Sequence, residues 1–303
     1  MRSITRVGTE MRSYYERPIV KEPVWKAEIP TYFWTGGIAG ASAVLSLAAR
    51  LAGNERLAKT SLYVGAAFDV ASPPLPISDL GRPERFLNMF RVFKVTSPMS
   101  VGSWILGISG GASATAALLE ATGRLKPLKV AAETVSALTG APLATYTGAL
   151  VADTSIPVWS EARHELPFLF GASATASAGA ASAMLVPPAE AGPARRLAVG
   201  GVTAGTAISL GMELRLGFVG EPYHRGAAGR LSAVSKATTL LGAALLARPG
   251  RRSRAAAVAG SALVLGGELA LRFAVFKAGF QSARDPRYTV EPQRRRLEPR
   301  QAA

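Results

Sequence analysis

Two short stretches of the sequence carry side chains that could bind a small ring with two carbonyl groups and move its protons. Asp79 lies in the stretch LPISDLGRP, and Arg163 and His164 lie in SIPVWSEARHELPFLF. Arginine and tyrosine can donate hydrogen bonds to carbonyl oxygens, and a carboxylate or an imidazole can take a proton from the reduced ring. Together with Tyr146 and Trp34, these residues form the candidate binding and catalytic set.

Long apolar stretches separate the segments that carry these residues. Residues 31–49, 98–119 and 167–189 contain no charged side chain, and about 20 apolar residues suffice to cross the hydrocarbon core of a membrane. The pattern predicts an all-α membrane protein, an eight-transmembrane-helix bundle built as two four-helix halves. The predicted spans are Tyr32–Leu51, Thr60–Pro76, Val101–Ala121, Val130–Val151, Leu166–Val186, Leu197–Gly217, Leu231–Ala247 and Ala255–Phe276.

The remaining residues form two tails and the links between spans. Residues 1–30 are predicted to be a basic N-terminal tail, residues 31–276 the transmembrane domain, and residues 277–303 a basic C-terminal tail that is extended over the surface or partly disordered. Lys and Arg in the tails favour a multi-pass protein of the cytoplasmic (inner) membrane with both termini in the cytoplasm. The links counted without the tails give the opposite bias.

The candidate set is expected on one side of the membrane. The links after the second and the fourth spans share a side because each follows an even number of crossings. Asp79 begins the first of these links, and Arg163 and His164 end the second. Trp34 starts the first span and Tyr146 lies late in the fourth, so both approach the same surface, and the apolar spans would hold an isoprenoid tail.

The composition excludes several kinds of site. The chain has 303 residues, no cysteine, two histidines and a net charge of +15. It therefore cannot ligate an iron–sulfur cluster through thiolates, and two histidines are too few for a pair of haems held by four. No metal site is predicted, and no haem. The positive charge is concentrated in links and tails, as membrane proteins arrange it, so no nucleic-acid partner is predicted.

A few ionisable residues fall inside the predicted spans, where burying a charge is expensive. Asp69 lies in the middle of the second span with no cation nearby in sequence, which leaves a structural and a proton-transfer role open. Glu268 lies four residues before Arg272, a spacing at which the two can pair on one helix face. Glu133 and Lys236 lie near span ends and could reach the surface. A possible proton path consists of Asp69, Glu213 and Glu268.

The link from Ser78 to Trp104 alternates aromatic and basic residues. This pattern is typical of an amphipathic segment on the membrane surface or of a docking surface, and Pro98 is expected in the first turn of the third span. The residues predicted to dock a partner are Arg82, Arg85, Phe86, Phe90, Arg91, Phe93 and Lys94.

The segments DLGRPERFLNMFRVFKVTSPMSVGSW and SIPVWSEARHELPFLF resemble the NrfD/PsrC-like family of polysulfide-reductase-type integral membrane subunits, as do YFWTGGIAG and ELALRFAVFKAG. The resemblance implies a subunit that is not catalytic alone. Such a subunit exchanges electrons between menaquinone, or another quinone, and an iron–sulfur ferredoxin-like subunit of a molybdopterin enzyme, of the formate dehydrogenase or polysulfide reductase type. By position, the resemblance assigns the quinone-site Asp, Tyr and Arg of the family to Asp79, Tyr146 and Arg163.

Two other functions stay open from the sequence. The chain could translocate protons or ions through the residues inside its spans, or it could be a structural anchor without a redox site. The resemblance favours the quinone-linked function and leaves open the substrate of the catalytic subunit and the direction of electron flow.

Overall fold

The computed structural model describes residues 18–301 and the side chains of residues 18–294. Every regular element in this part of the chain is helical. In chain order the α-helices are α1 (Glu28–Leu51), α2 (Glu55–Ala71), α3 (Pro74–Asp79), α4 (Pro98–Thr122), α5 (Lys126–Ala152), α6 (Pro157–Glu161), α7 (Leu166–Leu185), α8 (Gly192–Leu216), α9 (Gly226–Ala247), α10 (Arg254–Arg284) and α11 (Arg287–Gln301). Short 3₁₀ helices cover Pro83–Phe90, Gly217–Tyr223 and Pro249–Arg251.

The ends of the long helices follow local sequence signals. The side chain of Asn54 caps α2 by accepting a hydrogen bond from the backbone N–H of Leu57 at 3.0 Å, and Ser253 caps α10 in the same way. Ser97 caps α4, whose first residue is Pro98. A proline is tolerated there because the first turn leaves its backbone N–H groups unpaired in any case, so the predicted start of this span is confirmed.

Long helices overlap all eight predicted spans, although α2 ends at Ala71, five residues before the predicted end of the second span, and only part of the prediction is confirmed. In the described residues, six helices are long and apolar enough to cross a membrane. The other two long helices are α2, with 17 residues, and α9. Crossing by α2 and α9 stays a prediction. The six that qualify are Glu28–Leu51, Pro98–Thr122, Lys126–Ala152, Leu166–Leu185, Gly192–Tyr223 and Arg254–Arg284.

Packing links the first four long helices to one another and the last four to one another. α1 packs on α2 and α5, and α4 packs on α5, while α7 packs on α8 and α9 on α10. Contacts between the two sets are also extensive, because α7 lies against both α1 and α5. The proposed division into two halves therefore stays a prediction.

The C-terminal residues differ from the expected extended tail. α10 continues to Arg284 and α11 covers Arg287–Gln301. Tyr288 anchors the start of α11: its ring stacks on Phe218 at 5.0 Å and its hydroxyl donates to Glu221 at 2.7 Å. The expectation of an extended C-terminal segment was therefore wrong. Of the predicted N-terminal tail, residues 1–17 lie outside the described residues.

The N-terminal segment and the longer links lie together at one end of the bundle, the loop face. Lys26 donates its backbone N–H to Asp79 at 3.2 Å, Trp25 stacks on Trp159 with ring centroids 5.9 Å apart, and Arg284 pairs with Glu22. These contacts tie distant parts of the chain together at the surface where the candidate set was predicted. The loop face comprises residues 18–27, 72–97, 153–165, 217–225 and 285–294.

Candidate functional site

A cavity of about 380 Å³ lies just beneath the loop face, between α1, α2, α4 and α5. Its walls are mostly apolar, and its polar lining consists of two carboxylates, two tyrosines and a serine. Cavities of a few hundred Å³ with mainly apolar walls and a few polar groups are typical of small-molecule sites. The polar lining residues are Tyr32, Asp69, Asp79, Ser103 and Tyr146.

Asp79 lies at the mouth of this cavity, as the last residue of α3. One carboxylate oxygen accepts the backbone N–H of Lys26 at 3.2 Å. The N-terminal segment thereby fixes the carboxylate at the loop face and leaves its other oxygen for a ligand or water. Asp79 is half-buried, which suits a group that must exchange protons with the surface.

The two tyrosines form a hydrogen-bonded pair on the cavity wall. The hydroxyl groups of Tyr32, on α1, and Tyr146, on α5, contact each other directly. The ring of Tyr146 lies against the backbone of α4 at Gly102, where any Cβ atom would overlap the ring. One hydroxyl of such a pair can donate to a bound carbonyl oxygen while the other orients it.

Asp69 lies deeper in the cavity, one helix segment earlier in the chain. It is only 3% exposed, and neither of its carboxylate oxygens has a hydrogen-bond partner among the described residues. The hydroxyl of Ser113, on α4, faces it without forming a hydrogen bond of good geometry. Gly110 of α4 lies next to Asp69: a Cβ atom there would make an ordinary contact of 3.9 Å with the Cβ of Asp69.

The segment Pro83–Phe90 closes the cavity from the loop face. Phe86, Met89 and Phe90 line the cavity. The ring of Phe90 packs edge-on against Trp104 at 5.7 Å, and Ser103 donates its hydroxyl to the sulfur of Met89 at 3.4 Å. Two of the seven residues predicted to dock a partner, Phe86 and Phe90, thus form part of the cavity wall.

The other five predicted docking residues are exposed on the loop face. Phe93 is 56% exposed and packs edge-on against Trp104 at 6.2 Å. Leu87, Val92 and Val95 are exposed beside it. The surface is therefore basic and partly apolar. The exposed predicted docking residues are Arg82, Arg85, Arg91, Phe93 and Lys94.

The cavity opens sideways between α2 and α4. Val70 of α2 and Met99 of α4 both line the cavity and are 69% and 49% exposed. α4 is long and apolar enough to cross a membrane, so the exposed side chain of Met99 is placed to face lipid, and Val70 of α2 extends this apolar surface. A long apolar chain attached to a bound ring could leave the protein through this opening without crossing polar surface.

Arg163 and His164 do not join Asp79 at the cavity. Both are exposed, and the guanidinium of Arg163 donates to His164 at 3.2 Å. The link that carries them turns toward α10, because the buried indole of Trp159 donates to the backbone carbonyl of Val275 at 2.8 Å. The predicted convergence of these two residues with Asp79 is not observed at the cavity, and their roles in binding and catalysis stay predictions.

Trp34 also lies away from the cavity lining. Its indole packs edge-on against Phe68 at 5.7 Å, and its N–H has no partner among the described residues. α1 presents Tyr32 and Phe33 to the cavity instead. The assignment of Trp34 to the binding set stays a prediction.

The other two residues of the possible proton path belong to the second set of helices. Glu213 on α8 accepts hydrogen bonds from Lys236 at 2.8 Å and from Ser209 at 2.9 Å. Glu268 on α10 lines a much smaller cavity, of about 30 Å³, between α7, α8, α9 and α10. The guanidinium of Arg272, one turn later, stacks over the ring of Phe170 at 3.7 Å. The large cavity contains Asp69 alone of the three.

An ion pair at the loop face joins α7 to α8. Arg215 forms charge-assisted hydrogen bonds to both carboxylate oxygens of Glu165. These hydrogen bonds hold the pKa of Glu165 below its usual range, against the smaller opposite effect of burial. The pair fixes the start of α7 beside the link that carries Arg163 and His164, and it lies outside the cavity lining.

Tyr32 and Trp25 line the cavity but were not predicted from the sequence. Tyr32 lies in the first turns of α1, at the same end of the bundle as Tyr146, and Trp25 lies before the helix. A tyrosine near the start of a span was the available signal for Tyr32. Trp25 had no such signal, because its position depends on stacking with Trp159, 134 residues later.

The helical bundle and its cavity define the class of the protein as a polytopic helical membrane protein with a small-molecule cavity near one surface. The family model described as "Polysulphide reductase, NrfD" matches residues 19–196, and the chain belongs to this family. Membership supports a membrane subunit of a quinone-linked oxidoreductase. A search of the curated proteins gives no match. The matched region contains every helix that lines the cavity.

Proposed function

We propose that the chain is the quinone-reactive membrane subunit of a multi-subunit oxidoreductase. It exchanges electrons between menaquinone, or another quinone, and an iron–sulfur subunit that leads to a molybdopterin enzyme of the formate dehydrogenase or polysulfide reductase type. The cavity beneath the loop face carries this proposal. It combines an apolar interior, a lateral opening toward lipid, and hydrogen-bonding groups of the kind that a two-carbonyl ring requires.

The residues of the cavity fit a quinone ring and its isoprenoid tail. The volume of about 380 Å³ lies within the range of small-molecule sites. The hydroxyl groups of Tyr32 and Tyr146 supply donors for a carbonyl oxygen, and the two carboxylates accept protons from a hydroxyl group. The opening between Val70 and Met99 directs the tail into the lipid.

Each polar residue has a distinct role in this proposal. A bound quinol supplies two electrons and two protons when it is oxidised. Tyr146, held by Tyr32, orients the ring by donating to one ring oxygen. Asp79, tied to the backbone of Lys26 at the mouth, passes protons between the cavity and the loop face. Phe86 and Phe90 exclude water from the loop side of the ring.

The exposed basic surface beside the cavity is the proposed seat of the iron–sulfur subunit. Arg82, Arg85, Arg91 and Lys94 are exposed within one short segment, whose inner side closes the cavity through Phe90. A partner with an acidic surface would be attracted here by complementary charge. Electrons would then cross between subunits close to the bound ring.

The test uses the complex purified with its partner subunits, reconstituted in liposomes. Asp79→Asn and Tyr146→Phe are expected to lower quinone-linked turnover at least about tenfold, because each removes one proton acceptor or donor at the ring. The complex is expected to retain its subunits in both variants. Turnover of Arg163→Gln, a residue outside the cavity lining, shows whether Arg163 takes part in the quinone reaction. Unchanged turnover in both Asp79→Asn and Tyr146→Phe contradicts the quinone site.

Docking is tested on the same complex by reversing charge. Arg82→Glu with Arg91→Glu is expected to release the iron–sulfur subunit during purification, while the chain still binds a quinone analogue. The matched control is Arg124→Glu with Arg252→Glu, two exposed arginines at the opposite end of the bundle. Equal subunit retention in the two double variants excludes the proposed surface.

A further inference from the structure

Of the buried carboxylates that the structure describes, Asp69 is the one on the wall of the large cavity, and it accepts no hydrogen bond of good geometry. Glu133 accepts from Ser46 and from Arg50 at 2.6 Å each, and Glu213 accepts from Lys236. Neither oxygen of Asp69 is hydrogen bonded among the described residues, although the residue is 97% buried (3% exposed). A buried polar group without a partner costs free energy, so an unsatisfied carboxylate on a cavity wall indicates a ligand or a proton.

The surroundings of Asp69 contain no positive charge that could serve as a counter-ion. No Lys, Arg or His lines the cavity in the described part of the chain. The hydroxyl groups that line the cavity belong to Tyr32 on α1, Ser103 on α4 and Tyr146 on α5, and the hydroxyl of Ser113 on α4 lies next to Asp69; all are neutral. A proton from a bound molecule is therefore the counter-charge that this site can use.

Two carboxylates line the same cavity at different depths. Asp79 lies at the mouth, in contact with the backbone of Lys26, and Asp69 lies ten residues earlier, within α2. α2 ends at Ala71, just after Asp69, and Asp79 is the last residue of the separate short helix α3. Asp79 is half-buried and Asp69 is buried. Only Asp79 can exchange protons with water at the loop face directly.

We infer that Asp69 is the proton acceptor for the inner oxygen of the bound quinol, an assignment that rests on the proposed function. Oxidation breaks two O–H bonds. The two electrons pass one at a time to the iron–sulfur subunit, one proton forms an O–H bond with Asp69, and the other is taken by Asp79. When quinone is reduced, the same groups return the protons. The two-carboxylate arrangement thus gives each ring oxygen its own proton acceptor.

The packing around Asp69 favours this role over a structural one. A structural carboxylate would be satisfied by neighbouring donors, as Glu133 is. No basic side chain lines the cavity in the described part of the chain, so the carboxylate of Asp69 remains available to a bound molecule.

Infrared difference spectroscopy on the reconstituted complex tests this inference without relying on turnover alone. Oxidation of bound quinol is expected to produce a carbonyl band of a newly protonated carboxyl group. Bands from protonated aspartate are expected to shift when the protein carries ¹³C-labelled aspartate. The band of Asp69 is the one that persists in Asp79→Asn and vanishes in Asp69→Asn. Glu268→Gln, a buried carboxyl outside this cavity, is the control and should keep the band. No band sensitive to the aspartate label overturns the inference.

Binding and turnover complete the test. Asp69→Asn keeps the size of the side chain, so a quinone analogue is expected to bind within about threefold of wild type, a change below about 1 kcal/mol. Turnover is expected to fall at least about tenfold, and Asp69→Glu is expected to recover part of it. If Asp69→Asn does not fold, the labelled spectrum of Asp79→Asn keeps the inference falsifiable, because a label-sensitive band in that variant cannot come from Asp79 and its absence overturns the inference.

The outcomes separate this inference from the proposed function. Failure of the wild-type complex to bind the analogue contradicts the proposed function. Binding with normal turnover and an unchanged band in Asp69→Asn overturns the role of Asp69 and leaves the quinone site standing. Loss of analogue binding in both Asp69→Asn and Asp69→Glu also overturns it, because Asp69 would then hold the ring rather than accept its proton.

Discussion

Arg50 pairs with several carboxylates at the end of the bundle opposite the loop face. Its guanidinium donates to Glu133 at 2.6 Å and to Glu55 at 2.8 Å, and Ser46 donates to the same Glu133 at 2.6 Å. Glu133 is only 1% exposed. A buried ion pair is costly to break because the remaining charge stays buried without a partner.

Glu133→Gln is expected to lower the free energy of unfolding by about 2 kcal/mol, because it weakens the charge-assisted hydrogen bonds that the buried carboxylate accepts from Arg50 and Ser46, while Glu55 and Glu120 still pair with Arg50. The matched control is Glu190→Gln, whose pair with Arg56 is exposed on both sides and should cost less than about 1 kcal/mol. Thermal unfolding in detergent measures both variants. Similar losses in the two variants contradict the assignment of a buried pair.

Glu165 makes the stability of the loop face depend on pH. Arg215 holds the pKa of Glu165 below its usual range, so the folded protein resists protonation more than the unfolded chain does. The stabilisation is fully present above the ordinary carboxyl pKa, about 4.3, and is lost as pH falls through the folded pKa. The unfolding temperature is expected to drop below about pH 4, and Glu165→Gln should show a smaller drop. Equal pH dependence in both proteins contradicts this.

Close packing of α1 on α5 depends on glycine at one crossing point. A Cβ atom at Gly140 would lie 2.5 Å from the backbone carbonyl oxygen of Gly40. Small residues at such points let helix backbones approach, which is how helices associate within a membrane. The same crossing holds Tyr146 of α5 near Tyr32 of α1 at the cavity.

Gly140→Ala is therefore expected to push α5 away from α1 and to cost about 1–3 kcal/mol in stability. Because α5 carries Tyr146, quinone-linked turnover is expected to fall as well. Gly266→Ala is the control, since a Cβ there meets no atom within 4 Å and alanine favours helix. The prediction is tested by measuring the thermal unfolding temperatures of both variants. It is contradicted if Gly266→Ala lowers the unfolding temperature as much as Gly140→Ala does.

Hydropathy and local signals predicted the positions of the long helices, because each depends on a continuous stretch of chain. Pairings between distant helices were not predictable in the same way. Glu133 was expected to reach the surface but pairs with Arg50, 83 residues away. Phe86 and Phe90 were expected to face a partner but close the cavity. Asp69 could be identified from the sequence because it is a charged residue within an apolar stretch and has no cation nearby. Its position on the cavity wall could not be predicted, because the cavity is formed by helices that are distant in sequence.

At the scale of the whole molecule, the course of the chain through the membrane decides which groups share a side. The cavity and the basic surface both belong to the loop face. If all eight long helices cross, every link of the loop face lies on one side and the four other links lie on the opposite side. If α2 and α9 do not cross, the link near Gly53 lies on the same side as the link near Lys94.

The absence of cysteine from the chain allows these alternatives to be tested with single introduced thiols. Gly53→Cys and Lys94→Cys flank α2, and Arg225→Cys and Arg251→Cys flank α9. All four residues are exposed. With eight crossings, a membrane-impermeant maleimide added to intact cells is expected to label one member of each pair, and Lys94→Cys and Arg225→Cys should behave alike. Labelling of both members of a pair, or of neither, contradicts crossing by the helix between them.

Because the tails and the loop face share a side and the tails are rich in Lys and Arg, we expect the loop face to be cytoplasmic and Lys94→Cys to be protected from the reagent.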